Sequence, residues 1–258
     1  MPESARLNIL LVEDGLANQR LAVALLSKWG HDVQVAADGK EGLDLFLGES
    51  QFDLILMDLQ MPVMDGIEAT REIRSAEQAT GERIPILAMT ARNLPDDRRE
   101  CREAGMDGYL VKPVRQHEFH EAISRCIPDF DGPSHVDPSK RKPRNSLINW
   151  LGALENVDSD TGILSSVIEA SLEELPLLTS KIDEELQTQN LKEVQRLAHT
   201  IKSSARAFCS SVLTDHAFTL ELAAGSGDLP GAQKAYEAVK QLVQQFLAEL
   251  TQRGADLR

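Results

Sequence analysis

Five polar residues stand at the carboxyl ends of short apolar runs, and their types suit the handling of a phosphoryl group. Glu13 and Asp14 follow LNILLV, Asp58 follows FDLILM, Thr90 follows IPILAM, and Lys112 follows DGYLV. If these runs are parallel strands, the three carboxylates meet in the crevice outside the strand ends, where the strand order reverses. Three negative charges at close range repel one another unless a cation sits among them, and an all-oxygen acidic site with room for water suits Mg2+. A hydroxyl and an ammonium beside that cation would hold phosphoryl oxygens while Asp58 attacks phosphorus. A single acidic residue after a strand is commonly just a helix cap, as Asp14 and Asp65 could each be. Five such groups at the ends of four strands are harder to explain by capping.

A second candidate lies far along the chain. On the helical stretch from about Asn190 to Phe208, at 100° per residue, the apolar stripe Leu191, Val194, Ala198, Ile201, Ala205 and Phe208 leaves His199 on the other side. His199 is therefore expected to face water. Lys202 and Ser203 lie three and four residues on and border the same surface. A neutral imidazole nitrogen is a good nucleophile near pH 7, and a nearby ammonium would steady added phosphate charge. An exposed histidine on a helix is most often only solvated, so position alone does not assign it a role.

The elements that must position these residues can be read from periodicity. Five strands are expected, over Leu7–Val12, Val33–Ala36, Phe52–Met57, Ile84–Met89 and Asp107–Val111. Helices are expected near Ala17–Trp29, Lys40–Leu47, Gly66–Glu77, Asp96–Ala104 and Gln116–Cys126. Alternating strands and helices indicate an α/β unit with a parallel sheet. The segment 128–146, PDFDGPSHVDPSKRKPRNS, is proline-rich with little apolar content and reads as a flexible linker. Its Lys140–Lys142 cluster reads as solvated charge. As a coil its 19 residues would span roughly 24 Å, enough to hold the two sites at high effective concentration and permit transfer within one chain. After Leu147 apolar residues recur at three and four, so the rest is expected to be a four-helix antiparallel bundle. An extra helix is expected around Ile163–Glu173, with Pro176 starting or kinking the next. A second stripe, Ala232, Ala235, Val239, Leu242, Phe246 and Leu250, marks the last helix, and the Ala-Ala-Gly-Ser-Gly run from Ala223 marks a stop before it.

At 258 residues two domains are the natural prior. The net charge of −14 is shared, with 14 basic against 22 acidic residues up to Ile127 and 9 against 16 from Leu147 on. Neither half suits nucleic acid. No apolar run approaches the roughly 20 residues of a membrane span, and no signal peptide is read at the N-terminus, so a cytoplasmic location is expected. Cys101, Cys126 and Cys209 are widely spaced and show no metal or disulfide pattern. His117 and His120 share a helix face but have no further ligand.

The runs VEDG, MDLQMPVMDG, MTA and VKP make Leu7–Ile127 resemble a response-regulator receiver domain across its length. The resemblance implies a flavodoxin-like, doubly wound (βα)5 unit with strand order 2-1-3-4-5. It implies that Asp58 accepts the phosphoryl group and that Glu13, Asp14, Asp58 and the backbone carbonyl of Gln60 hold Mg2+. Thr90 and Lys112 would serve the phosphoryl group, Tyr109 would be the aromatic switch coupled to Thr90, and the Lys112–Pro113 bond would be cis. The stretch VEDGLANQ is similar to receivers of hybrid sensor kinases, with Gly15 departing from the acidic or amide residue common there. AHTIKSSAR, Ala198 to Arg206, with SLEELPLL before it and LELA after it, is similar to the histidine phosphotransfer (HPt) motif over about Leu147–Leu250. That resemblance implies that His199 accepts phosphate with Lys202 beside it, and Ser203 stands where the family commonly has glycine.

The expected organisation is a receiver over 6–127, a linker over 128–146 and an HPt bundle over 147–253. The expected activity is that of a phosphoryl carrier without an ATP-binding kinase segment. Its partners would be a sensor histidine kinase and a downstream response-regulator receiver. A binding or dimerisation module with a phosphate-free bundle and a hybrid-kinase C-terminal fragment are the alternatives. A Mg2+-dependent phosphatase is disfavoured because Gln60 stands where a second acid/base carboxylate would be needed.

Overall fold

The computed structural model describes residues 6–48, 51–81, 83–90, 95–127 and 147–256. The chain divides into two compact units, one built mainly of residues up to Lys140 and the other mainly of residues from Arg141; that boundary, with the Lys140–Lys142 cluster, lies outside the described residues.

In the first unit β1 (Asn8–Val12), β2 (Asp32–Ala36), β3 (Leu54–Asp58), β4 (Ile86–Thr90) and β5 (Gly108–Val111) alternate with α1 (Leu16–Lys28), α2 (Gly39–Leu47), α3 (Gly66–Thr80), α4 (Pro95–Ala104) and α5 (Gln116–Cys126). The strands form one parallel sheet in the order β2-β1-β3-β4-β5. The continuous apolar runs of β1, β3 and β4 are what a sheet covered on both faces requires. Alternation along each strand feeds two cores. Ile9, Leu11, Leu54, Leu56, Leu87 and Met89 pack with Phe119 and Ile123 of α5 and Leu26 of α1. Leu10, Val12, Ile55, Met57, Ile86 and Ala88 point the other way, onto Leu43 of α2, Ile73 of α3 and Cys101 of α4. Helix starts are set locally, since the Asp38 side chain accepts from Glu41 N and the Asp65 side chain from Glu68 N.

The second unit is helical, with α6 (Trp150–Asn156), α7 (Thr161–Gln187), α8 (Leu191–Ala207), α9 (Ser211–Gly225) and α10 (Leu229–Asp256). Helices α7, α8, α9 and α10 close a ring in which α8 packs on α7 and α9, and α10 on the same two. Connections of three residues force antiparallel neighbours. Two expectations need correction. Residues 163–173 are not a separate helix, because α7 runs unbroken through Pro176. A proline inside a helix costs on the order of 3 kcal/mol. Burial of Leu164, Val167, Ile168, Leu175, Ile182 and Leu186 along one face offsets that cost. The extra helix is instead α6, capped by the Asn149 side chain on Gly152 N. The buried line of α10 is Ala232, Tyr236, Val239, Val243, Phe246 and Leu250, so Tyr236 and Val243 replace the expected Ala235 and Leu242.

The three cysteines are free thiols. No helix among the described residues is long and apolar enough to cross a membrane.

Candidate functional site

Strand pairing brings the first group of polar residues to one end of the sheet. Val12 is opposite Met57, Asp58 opposite Met89, and Thr90 opposite Val111. Glu13 and Asp14 therefore leave β1 beside Asp58 at the end of β3. One carboxylate oxygen from each of Glu13, Asp14 and Asp58 lies within 4.8 Å of the others. Lys112, just past β5, places Nζ 2.6 Å from Glu13 Oε2 and 2.6 Å from Asp58 Oδ2. Asp58 Oδ1 accepts from Leu59 N at 2.7 Å. Glu13, Asp58 and Lys112 are all buried.

The electrostatics follow from that burial. Removal from water, reinforced by the charges of Asp58 and Asp14 and opposed by Lys112, pushes Glu13 up to about 8. For Lys112 burial favours the neutral amine, but the Asp58 and Glu13 charges outweigh it and raise the group above the ordinary lysine range. One ammonium against three carboxylates leaves the site acidic, and its donors are all oxygen. These residues fit a hard divalent cation of the Mg2+ type.

Thr90 closes β4, and its carbonyl accepts from Lys112 N at 2.9 Å. Gln60 lies two residues beyond Asp58, with its Oε1 buried and without a hydrogen-bond partner among the described residues. Tyr109 sits on β5 opposite Ala88 and is partly exposed. The Lys112–Pro113 bond is cis. The part played by Gly66 was not read from the sequence. A Cβ there would come within 2.0 Å of the Asp58 carbonyl oxygen, so only glycine lets α3 start against the end of β3. The glycine after the Asp65 cap was the available signal.

In the second unit α8 carries His199, Lys202 and Ser203, and all three are buried. His199 is 8% exposed, which corrects the expectation that it faces water. The single-stripe reading allowed α8 one covered face, whereas both α7 and α9 pack against it. From α9 Glu221 reaches the ring, with Oε1 2.9 Å from His199 Nδ1. Its Oε2 accepts from Lys202 Nζ, which also lies 3.1 Å from His199 Nδ1. Burial works to raise Glu221, but the hydrogen bond and charge of His199, with Lys202, hold its carboxyl below the usual range. Nδ1 can donate to Glu221 or accept from Lys202, not both. The tautomer with hydrogen on Nδ1 satisfies the carboxylate and leaves Lys202 its own bond to Glu221, making Nε2 the acceptor nitrogen. The chain signal for Glu221 was a lone acid inside the apolar run FTLELAA.

Comparison with known proteins matches residues 9–124 to the response regulator receiver domain and residues 166–249 to the Hpt domain. Probable histidine kinase 4 of rice (Oryza sativa subsp. japonica) is 39% identical over 138 residues, 46% of this chain and 14% of that protein. Hybrid signal transduction histidine kinase I of Dictyostelium discoideum is 42% identical over 124 residues, 46% of this chain and 7% of that protein. The chain thus spans a small part of these curated relatives. The receiver domain of the sensor histidine kinase PA1611 of Pseudomonas aeruginosa, solved with a magnesium ion in its active-site cleft, is 43% identical. It covers 47% of this chain and 97% of that one, at a TM-score of 0.42.

Proposed function

We propose, for a chain that belongs to the response regulator receiver family through residues 9–124 and to the Hpt family through residues 166–249, that Asp58 and His199 each carry a phosphoryl group in a phosphorelay. The receiver occupies 6–127 and the bundle 147–253, joined by 128–146. A sensor histidine kinase supplies the group, and a downstream receiver exchanges it with His199. The observation that carries this reading is the meeting of Glu13, Asp14 and Asp58 within 4.8 Å, with Lys112 2.6 Å from Asp58.

Glu13, Asp14, Asp58 and the Gln60 carbonyl would hold Mg2+, which when bound neutralises phosphoryl oxygens and lowers the repulsion met by an attacking carboxylate. An Asp58 carboxylate oxygen forms a bond to phosphorus as the donor's P–N bond breaks, and that electron pair returns to the donor imidazole. Lys112 turns its ammonium from the carboxylates to the new phosphoryl oxygens, and the Thr90 hydroxyl donates to another. Tyr109 follows Thr90. In the second step Nε2 of His199 attacks the phosphorus of an acyl phosphate, on Asp58 or on a partner receiver. The P–O bond breaks with its pair returning to the aspartate. The proton on Nδ1 stays there, held by Glu221, which balances the positive charge of the phosphorylated ring. Lys202 stands close enough to meet the incoming phosphate charge.

Incubation with radiolabelled acetyl phosphate and Mg2+ tests the reading. His199→Gln should carry base-labile label only, Asp58→Asn none, and the unsubstituted chain both base-labile and acid-labile label. Label in Asp58→Asn equal to the unsubstituted chain would refute the role of Asp58. Base-labile label alone in the unsubstituted chain would leave the bundle a docking module without phosphate.

A further inference from the structure

Val63 is 81% exposed and has φ of +67°. Met64 N donates to Pro62 O at 2.7 Å across it, closing a three-residue turn of the positive-φ type, which is rare and strained. Among the described residues the other non-glycine positions of positive φ are Asp158, Ser159, Gln189 and Cys209, none of them β-branched. The turn is held from outside, because the Met64 carbonyl accepts from Gly39 N at 3.1 Å and Gly66 N donates to Leu59 O at 3.1 Å. The backbone conformation is therefore imposed by its surroundings, and glycine or asparagine would adopt it with less strain. Valine here costs stability through its backbone, and its apolar side chain, left in water, gains nothing from folding in return.

That side chain stands five residues after Asp58, on the loop that joins β3 to α3 outside the strand end. Asp58 itself is 2% exposed, so a donor histidine reaches it only if its carrier covers the rim. A histidine-bearing bundle has the matching chemistry: in the second unit Leu222, next to the Glu221 that holds His199, is 55% exposed. We propose that Val63 is a docking contact that selects helical bundles with apolar side chains beside their phosphohistidine. The inference rests on the proposed function and names the residue that reads the partner. Strain and exposure are retained at the position because the partner buries the side chain.

The test uses two full-length chains. His199→Gln, labelled at Asp58 with acetyl phosphate and freed of donor, is mixed with increasing Asp58→Asn, whose His199 is the acceptor. Adding Val63→Asn to the donor chain should raise the half-saturating acceptor concentration roughly tenfold. The maximal transfer rate and the labelling by acetyl phosphate should stay within about twofold, and the melting temperature should rise by a few degrees. Val63→Ile, which keeps the apolar group, should transfer like the parent. An unchanged half-saturating concentration in Val63→Asn, or loss of labelling by acetyl phosphate together with transfer, would overturn the proposal. Failure of the parent to label at all would instead refute the assignment of Asp58, and labelling without transfer would refute that of His199.

Discussion

Lys112 Nζ lies 2.6 Å from Asp58 Oδ2 and the same distance from Glu13 Oε2, so one ammonium from the end of β5 joins the carboxylates that close β1 and β3. Lys112→Met keeps the stem and removes the charge. Labelling of Asp58 by acetyl phosphate should fall on the order of 100-fold. Without Mg2+ the variant should lose roughly 3 kcal/mol of stability in urea, the cost of leaving buried charges unpaired, and Mg2+ should restore part of it. Unchanged labelling would remove Lys112 from the chemistry.

Glu13, pushed up to about 8, binds its proton more tightly in the folded chain than in the unfolded one. The stability it contributes to the metal-free protein is fully present below the ordinary glutamate range and is lost as pH rises toward 8. Glu13→Gln should therefore melt progressively higher than the parent between pH 5 and 8 when Mg2+ is absent. Mg2+ must displace that proton, so its affinity should tighten over the same interval. Melting curves and calorimetric titrations at several pH values check both, and parallel melting curves would contradict the assignment.

Glu221 holds His199 Nδ1 at 2.9 Å and also binds Lys202. Glu221→Gln preserves shape but removes the charge that favours hydrogen on Nδ1. Phosphorylation of His199 by a labelled receiver should slow by roughly 10- to 100-fold, and the melting temperature should fall, because buried Lys202 loses its charged partner. Nuclear magnetic resonance of the ring nitrogens should show the Nδ1–H tautomer in the parent and a mixture in the variant.

Arg74 is a structural counterpart. Its guanidinium donates to Gly105 O, Ile84 O, the Glu77 carboxylate and Asp107, tying α3 to the segments that enter β4 and β5. Arg74→Ala should cost roughly 3–5 kcal/mol in urea denaturation of the first unit, because buried Glu77 loses the charge of Arg74 and keeps the hydrogen bond from Ile84 N. Asp58 should still be labelled under native conditions.

The sheet and its polar rim were legible because parallel strands buried on both faces must be continuous apolar runs, and β1, β3 and β4 are little else. Each run announces where it stops, so Glu13, Asp58, Thr90 and Lys112 could be placed at one end of the sheet before any distance was known. The bundle was less legible. A helical wheel assumes one covered face, and His199 lies where α8 meets a second helix. Glu221 could not be assigned to His199 from spacing, since the pair is joined across helices and not along one. Pro176 misled for a related reason: its local cost is plain in the sequence, whereas the packing of α7 that offsets it is tertiary. Tyr236 and Val243 displaced Ala235 and Leu242 because the buried line of α10 is set by its packing on both α7 and α9, which periodicity along one helix does not reveal. Val63 and Gly66 depend on backbone angles and close approach, which composition does not reveal.

On the proposed reading Asp58, in a cation-dependent pocket, takes up a phosphoryl group that His199 can receive. Mass spectrometry of the intact chain at intervals after adding acetyl phosphate and Mg2+, with fragmentation to locate the added phosphate, tests it most directly. Phosphate should be found at Asp58 first and at His199 afterwards, and neither should be modified when the cation is chelated. Phosphate arriving at His199 before Asp58, or at Asp58 with the cation removed, would contradict the account.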